Sequence, residues 1–247
     1  FLGDWATQSN WNPIDSVNVP LTKANNGNHT VIFPDDAAIT GSTNVNTAAA
    51  VSVNRIQFEH PTHSFVVSGV GSVNLHATTD PNTPVNPSMS ATGTHQFQAV
   101  VNLHADTTID VNSASTLSMN NAVNLSGVTL TKTGTGTLEI NNALNTGGGT
   151  VVGQAGAIGG SGTVGGNLSN PAGTVAPGNS PGVLSVNGNY TQGSGGTLEI
   201  EVTGTSPGES GHDQLSVTGA ASLDGTLDIV PQAPYADPSV RGASENM

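Results

Sequence analysis

The 247 residues are 34% hydrophobic, only 4% aromatic and 9% charged, and they include no cysteine, which excludes disulfide staples and thiolate metal sites. Seventeen acidic residues stand against four basic ones, Lys23, Arg55, Lys132 and Arg241, so the formal charge of −13 supplies no basic stripe and excludes a nucleic-acid partner. No apolar run approaches the ~20 residues that cross a bilayer, so no membrane insertion by this segment is expected. The 32 glycines, with abundant Asn, Thr, Ser and Val, disfavour helices and favour strands and turns, which predicts an all-β fold.

The chain opens at Phe1 rather than methionine, which fits removal of a secretory leader and points to a secreted or surface location. Residues 1–100 hold Trp5, Trp11, Phe33, Phe58, Phe65 and Phe97 in irregular sequence. Large apolar side chains in that setting suit an N-terminal cap over irregular first rungs of a repeat. Within it, DPNTPVNP at 80–87 carries three prolines in eight residues, which no central strand tolerates, and predicts a protruding loop.

Residues 101–230 carry the repeat. TLSMNNAVN at 116–124 returns as TLEINNALN at 137–145, an offset of 21. VNLHA occurs at 73 and 101, GTLEI at 136 and 196 with GTLDI at 225, and LSVNGN at 184 answers LSVTGA at 215. Alternating apolar strands at a period near 20 to 30 residues predict a β-solenoid with rungs ~4.8 Å apart, roughly ten of them, in a rod of ~50 Å. Leu117 and Met119 should stack on Leu138 and Ile140, with Ser118 and Glu139 facing out. Asn120, Asn121, Asn141 and Asn142 then fall at corners, where asparagine tolerates left-handed angles and bonds to its own copy one rung away. From 231 to 247 the composition changes, and this tail is expected to lead into a further C-terminal part.

APGNSPGVLSVNGNYTQ at 176–192, GGTLEIEV after it and DQLSVTGAASLDGTLDI at 213–229 resemble the autotransporter-associated β-strand repeat proteins and autotransporter passenger domains, as does DWATQSNW at 4–11. The resemblance implies a right-handed parallel β-helix displayed outside the cell, in a family that includes adhesins and matrix proteins. A family member would continue into a membrane-embedded barrel, and these residues show none.

Catalytic and binding candidates are sparse. A β-helix lyase would want an acidic calcium cluster with a basic proton acceptor, a poor match to Arg55 and Arg241. A glycosidase needs two carboxyls about 5.5 Å or 6.5 to 9.5 Å apart. Glu199 and Glu201, at i and i+2 on one strand, come nearest at about 6.5 to 7 Å, although alternating exposed glutamates are ordinary on an acidic strand. His76 and His104 hold equivalent places in the VNLHA repeat and, on adjacent rungs, would approach ligand distance. Their spacing of 28 is not a clean rung, however, and zinc wants three or four ligands. Trp5, Trp11 and Tyr190 are the candidates for stacking on a glycan, with core or cap packing the competing fate of both tryptophans. The glycines at 146–166 lack the Lys and Ser/Thr of a phosphate loop. No cofactor is expected.

The expected function is structural and non-enzymatic: a rigid extracellular rod that displays loops or associates end to end into a fibre or matrix, since a solenoid end presents unpaired strand edges. A glycan-binding adhesin and a carbohydrate-active enzyme are the alternatives.

Overall fold

A computed structural model describes residues 2–4, 29–35, 43–79, 83–208 and 211–233. Among these, strands of two to six residues form three parallel sheets and no helix is present. The chain is a parallel β-helix. Sheet A has ten strands, from Leu2–Asp4 through Thr43–Asn46 to Thr226–Pro231; sheet B has nine, from Thr30–Phe33 to Ala221–Ser222; sheet C has eight, from Val51–Val53 to Gln214–Val217. Each turn lays one strand in B, then A, then C, as in Thr107–Val111, Thr116–Met119 and Val123–Asn124. Eight turns are complete, and Ala221–Ser222 with Thr226–Pro231 begin a ninth.

Period-two sequence makes the core. Along Thr137–Ile140 burial alternates, and Leu138 and Ile140 point inward. The register joins His95, Leu117, Leu138, Ile158, Val175, Leu198 and Leu227 into one column of sheet A. Met119 pairs with Ile140, as the 21-residue repeat predicts. Burying each such side chain contributes about 1.5–3 kcal/mol, and the stacking leaves each rung dependent on its two neighbours. Ser118 departs from expectation: it lies on the outer face yet is only 9% exposed, because Glu139 of the next rung covers it and accepts a 2.6 Å hydrogen bond from its hydroxyl.

The four phenylalanines of the described first hundred residues belong to the core. Phe33, Phe58, Phe65 and Phe97 are at most 3% exposed because they take inward strand positions, and Phe33 stacks on Phe58 with centroids 4.6 Å apart. Regular three-strand turns therefore begin at Thr30, far upstream of residue 101. Trp5, Trp11 and the tail from 234 lie outside the described residues.

The proline-rich segment is an insertion between the sheet C strand Ser72–Leu75 and the sheet B strand Ser88–Ala91. Its residues 80–82 lie outside the described set, while Thr83–Asn86 are exposed. The Thr78 N–H donates to the Val85 carbonyl at 3.0 Å, and Asn54 Nδ2 closes the base by donating to the His76 and Val85 carbonyls at 2.9 and 3.0 Å. This insertion corrects the reading of the VNLHA spacing: Val73 to Leu75 pair directly with Val101 to Leu103, so 28 residues make one lengthened turn.

Candidate functional site

Outward amides form two ladders. Asn120 Nδ2 donates to Gln96 Oε1 at 2.9 Å, Asn141 Nδ2 to Asn120 Oδ1 at 2.9 Å, and Asn179 Nδ2 to Asn141 Oδ1 at 3.2 Å. The second ladder, on sheet C, links Asn74, Asn102, Asn124 and Asn145 through three bonds of 2.8 Å. Each amide spends a donor on one neighbour and an acceptor on the other, and the run ends where Gly165 follows Val164 in the next rung. Sequence reading found Asn120 and Asn141 and missed the sheet C ladder, although both VNLHA copies contain it. Asn121 and Asn142 do not stack this way; each Oδ1 accepts the N–H of the following alanine at 2.8 Å and shapes the corner.

The first ladder runs into a shallow groove of about 230 Å³ lined by Ser161, Asn179, Pro181, Gly182, Val183 and Gly208. Its wall is fixed from behind by Asp213, 4% exposed, whose Oδ1 accepts the Gly182 N–H at 2.7 Å and whose Oδ2 accepts the Glu201 N–H at 2.8 Å. Burial pushes the Asp213 carboxyl above the usual range, against the pull of those two N–H donors. Ser180, held at a φ of 65°, donates from its hydroxyl to Glu201 Oε2, and Gln232 Nε2 reaches Glu201 Oε1 at 3.3 Å. Glu201 thus buttresses the turn at 178–182. Glu199 lies on the open outer face of sheet A, directly across from Asp228. Burial first, and then the charge of Asp228, raises its pKa. The groove's own lining is amide, hydroxyl and small apolar groups, suited to hydrogen bonding.

His76 and His104 do meet on adjacent rungs, with centroids 4.2 Å apart and planes 4° from parallel. Parallel rings keep their in-plane lone pairs in two separate planes, where they do not converge on a point, and burial followed by the neighbouring His104 lowers the His76 pKa. Among the described residues no set of three His, Asp or Glu side chains is arranged to hold a metal ion. Tyr190 is 1% exposed and donates to Gln192 Oε1 at 2.8 Å, so it offers a glycan no face; it sits inward because it continues the column of Leu168. Lys132 is fully buried, with Nζ donating to the carbonyls of Thr133, Gly134 and Ala155 at 2.7, 2.9 and 3.2 Å.

Comparison with protein-family models, with curated proteins and with solved structures finds no match to the chain.

Proposed function

We propose that this protein is a non-enzymatic extracellular structural rod whose length and rigidity are its function, and whose last described rung is a joint for end-to-end association with a second copy. The observation that carries this reading is the last turn. Leu227 and Ile229 continue the inward columns of Leu198 and Ile200, yet they are 62% and 48% exposed, with Leu223 at 65%. Among the described residues these core positions have no rung above them, and such positions favour a parallel strand as partner, because the new strand recovers both backbone hydrogen bonds and apolar burial. The sheets run parallel with one polarity throughout, so a second copy adds in the same sense at either end. The resemblance to autotransporter passengers supports the extracellular setting.

Sedimentation and negative-stain microscopy test the reading, with Leu227→Ser/Ile229→Ser as the control. Rods of several protein lengths that shorten to single units in the variant are expected; a strict monomer at all concentrations overturns the association. The groove beside Asn179 favours a second reading, a glycan-contacting adhesin, for which a glycan array with no binding is the disproof.

A further inference from the structure

Three histidines are buried together in the N-terminal turns, where no functional reading above uses them. His60, His63 and His95 are 7%, 4% and 0% exposed. The His60 and His63 rings are 5.3 Å apart, and His95 stacks on Phe58 at 4.6 Å and on Phe65 at 5.7 Å. The hydrogen bonds set the protonation state of the deepest ring. His95 Nδ1 accepts the Phe65 N–H at 3.2 Å, so Nε2 carries the proton and donates to the Thr92 carbonyl at 2.7 Å. Both ring nitrogens are spent, and the neutral ring satisfies both partners. His60 Nδ1 likewise accepts the His63 N–H at 3.1 Å and lies 3.4 Å from the Thr62 N–H. His63 Nε2 pairs with the Thr43 hydroxyl at 2.8 Å.

These contacts tie successive turns together. His95 belongs to the third turn and holds the backbone of Phe65 in the second, while His63 holds Thr43 in the first. A proton arriving at His95 Nδ1 would set an N–H against the Phe65 N–H and place a charge among phenyl rings. Few charged groups among the described residues face the cluster. From the end of Thr30–Phe33 comes Asp35, 59% exposed, with Oδ1 at 3.6 Å from His60 Nε2. Glu59 precedes His60 and is exposed. His29 and Arg55 stand at the opposite end of their strands, Arg55 bonded to Ser88 Oγ at 3.2 Å. Thr43–Asn46, Phe65–Ser68 and Thr116–Met119 contribute no ionisable side chain. Asp35 can therefore pair with a protonated His60, and nothing described pairs with a protonated His95.

We propose that the His60, His63 and His95 cluster makes the N-terminal end of the solenoid acid-sensitive: neutral rings lock the first two turns onto the third, and protonation releases them, exposing Phe33, Phe58 and Phe65. Release stays local because a solenoid turn contacts only its neighbours. Burial holds both His95 and His63 below the ordinary histidine range; at His95 the Thr92 carbonyl pulls the other way, and the charge of His60 adds to the lowering at both. The folded state thus resists protons that the unfolded turns accept, so local stability is present at neutral pH and falls as the pH drops below the unfolded histidine value near ~6.5.

Hydrogen–deuterium exchange of the whole chain, corrected for intrinsic rates, decides the matter. Between pH 6 and 5 the protection of 30–33, 43–46, 55–58 and 65–68 is expected to fall about tenfold per proton taken up, while 129–175 stays protected. In His63→Gln/His95→Gln the amides can accept and donate as the imidazoles do without titrating, and the acid response should disappear. Equal protection of the wild type at both pH values, or the same loss in the double variant, overturns the proposal. If that variant does not fold, histidine ring proton shifts of the wild type decide instead, and a His95 that titrates at or above pH ~6.5 is the overturning result.

Discussion

Replacing Lys132 by methionine should flatten a pH dependence that the wild type shows in alkali. Its stem lies in the interior of sheet B, between Ile109 of one rung and Gly153 of the next. Its ammonium is enclosed by three carbonyls, and burial depresses its pKa from 10.5 to about 8, with Asp110 acting in the opposite sense. Below pH ~8 folded and unfolded chains both hold the proton, and the folded state bears the full penalty. Between ~8 and ~10.5 the unfolded chain binds a proton that the folded one has released, so stability rises with pH and levels off above that window. That depression corresponds to a gain on the order of 3 kcal/mol. Urea unfolding of wild type and Lys132→Met from pH 7.5 to 10.5 isolates this gain, since Tyr190, whose pKa burial raises, titrates in both proteins. A wild-type-minus-variant difference that stays flat across the window would refute the reasoning, because it would mean that the three carbonyls solvate the ammonium as well as water does.

Two further substitutions probe the amide ladder and the groove. Asn124→Ala removes two ladder bonds and should cost about 1–2 kcal/mol, whereas Asn145→Ala, at the ladder's end, removes one and should cost about half as much in the same denaturant assay. Asp213→Asn leaves one of the Gly182 and Glu201 N–H groups facing an amide donor, so a loss of about 1–3 kcal/mol is expected, with faster exchange at 203–208. Because the folded-state pKa of Asp213 is raised, its stabilising contribution is present below the unfolded value and lost as pH rises through the folded one. The gap between wild type and variant should therefore widen on acidification, and a gap that narrows would show that the two N–H donors outweigh burial.

The repeat at 116–145 made the rung spacing, the inward pairs Leu117 with Leu138 and Met119 with Ile140, and the Asn120 to Asn141 bond legible before any coordinates. Those rungs are uninterrupted, so sequence offset and spatial register coincide. Legibility failed where a loop entered the count. The insertion before Ser88 stretched one turn to 28 residues, so the spacing of His76 and His104 did not read as a clean rung although the two are adjacent. Nothing in the sequence marked the buried polar positions. Lys132, Gln192 and Asn170 are at most 4% exposed, and Tyr190, read as a surface aromatic, continues an inward column. Single-sequence reasoning has no access to the turn carbonyls that make such positions hospitable.

Those buried polar residues share a cause. Where sheet B turns into sheet A, backbone carbonyls face inward and need donors, because an unpaired buried carbonyl costs as much as a lost hydrogen bond. Lys132 reaches the Ala155 carbonyl, Asn170 Nδ2 the Thr197 carbonyl at 3.0 Å, and Gln192 Nε2 the Thr226 carbonyl at 2.9 Å, each in the rung that follows. One column position thus performs the same task with three residue types, and each bond stitches a rung to its successor. The N-terminal turns fill that column with Val31, Ile56, Met89 and Ile109, and a different contact ties their rungs, the His95 ring in sheet A accepting the Phe65 N–H of the preceding rung. The first and last described turns consequently differ in chemistry: acid attacks the imidazole contacts in the first and favours the buried carboxyl of Asp213 in the last, so acidification should open the first described turns while the turns around Asp213 persist.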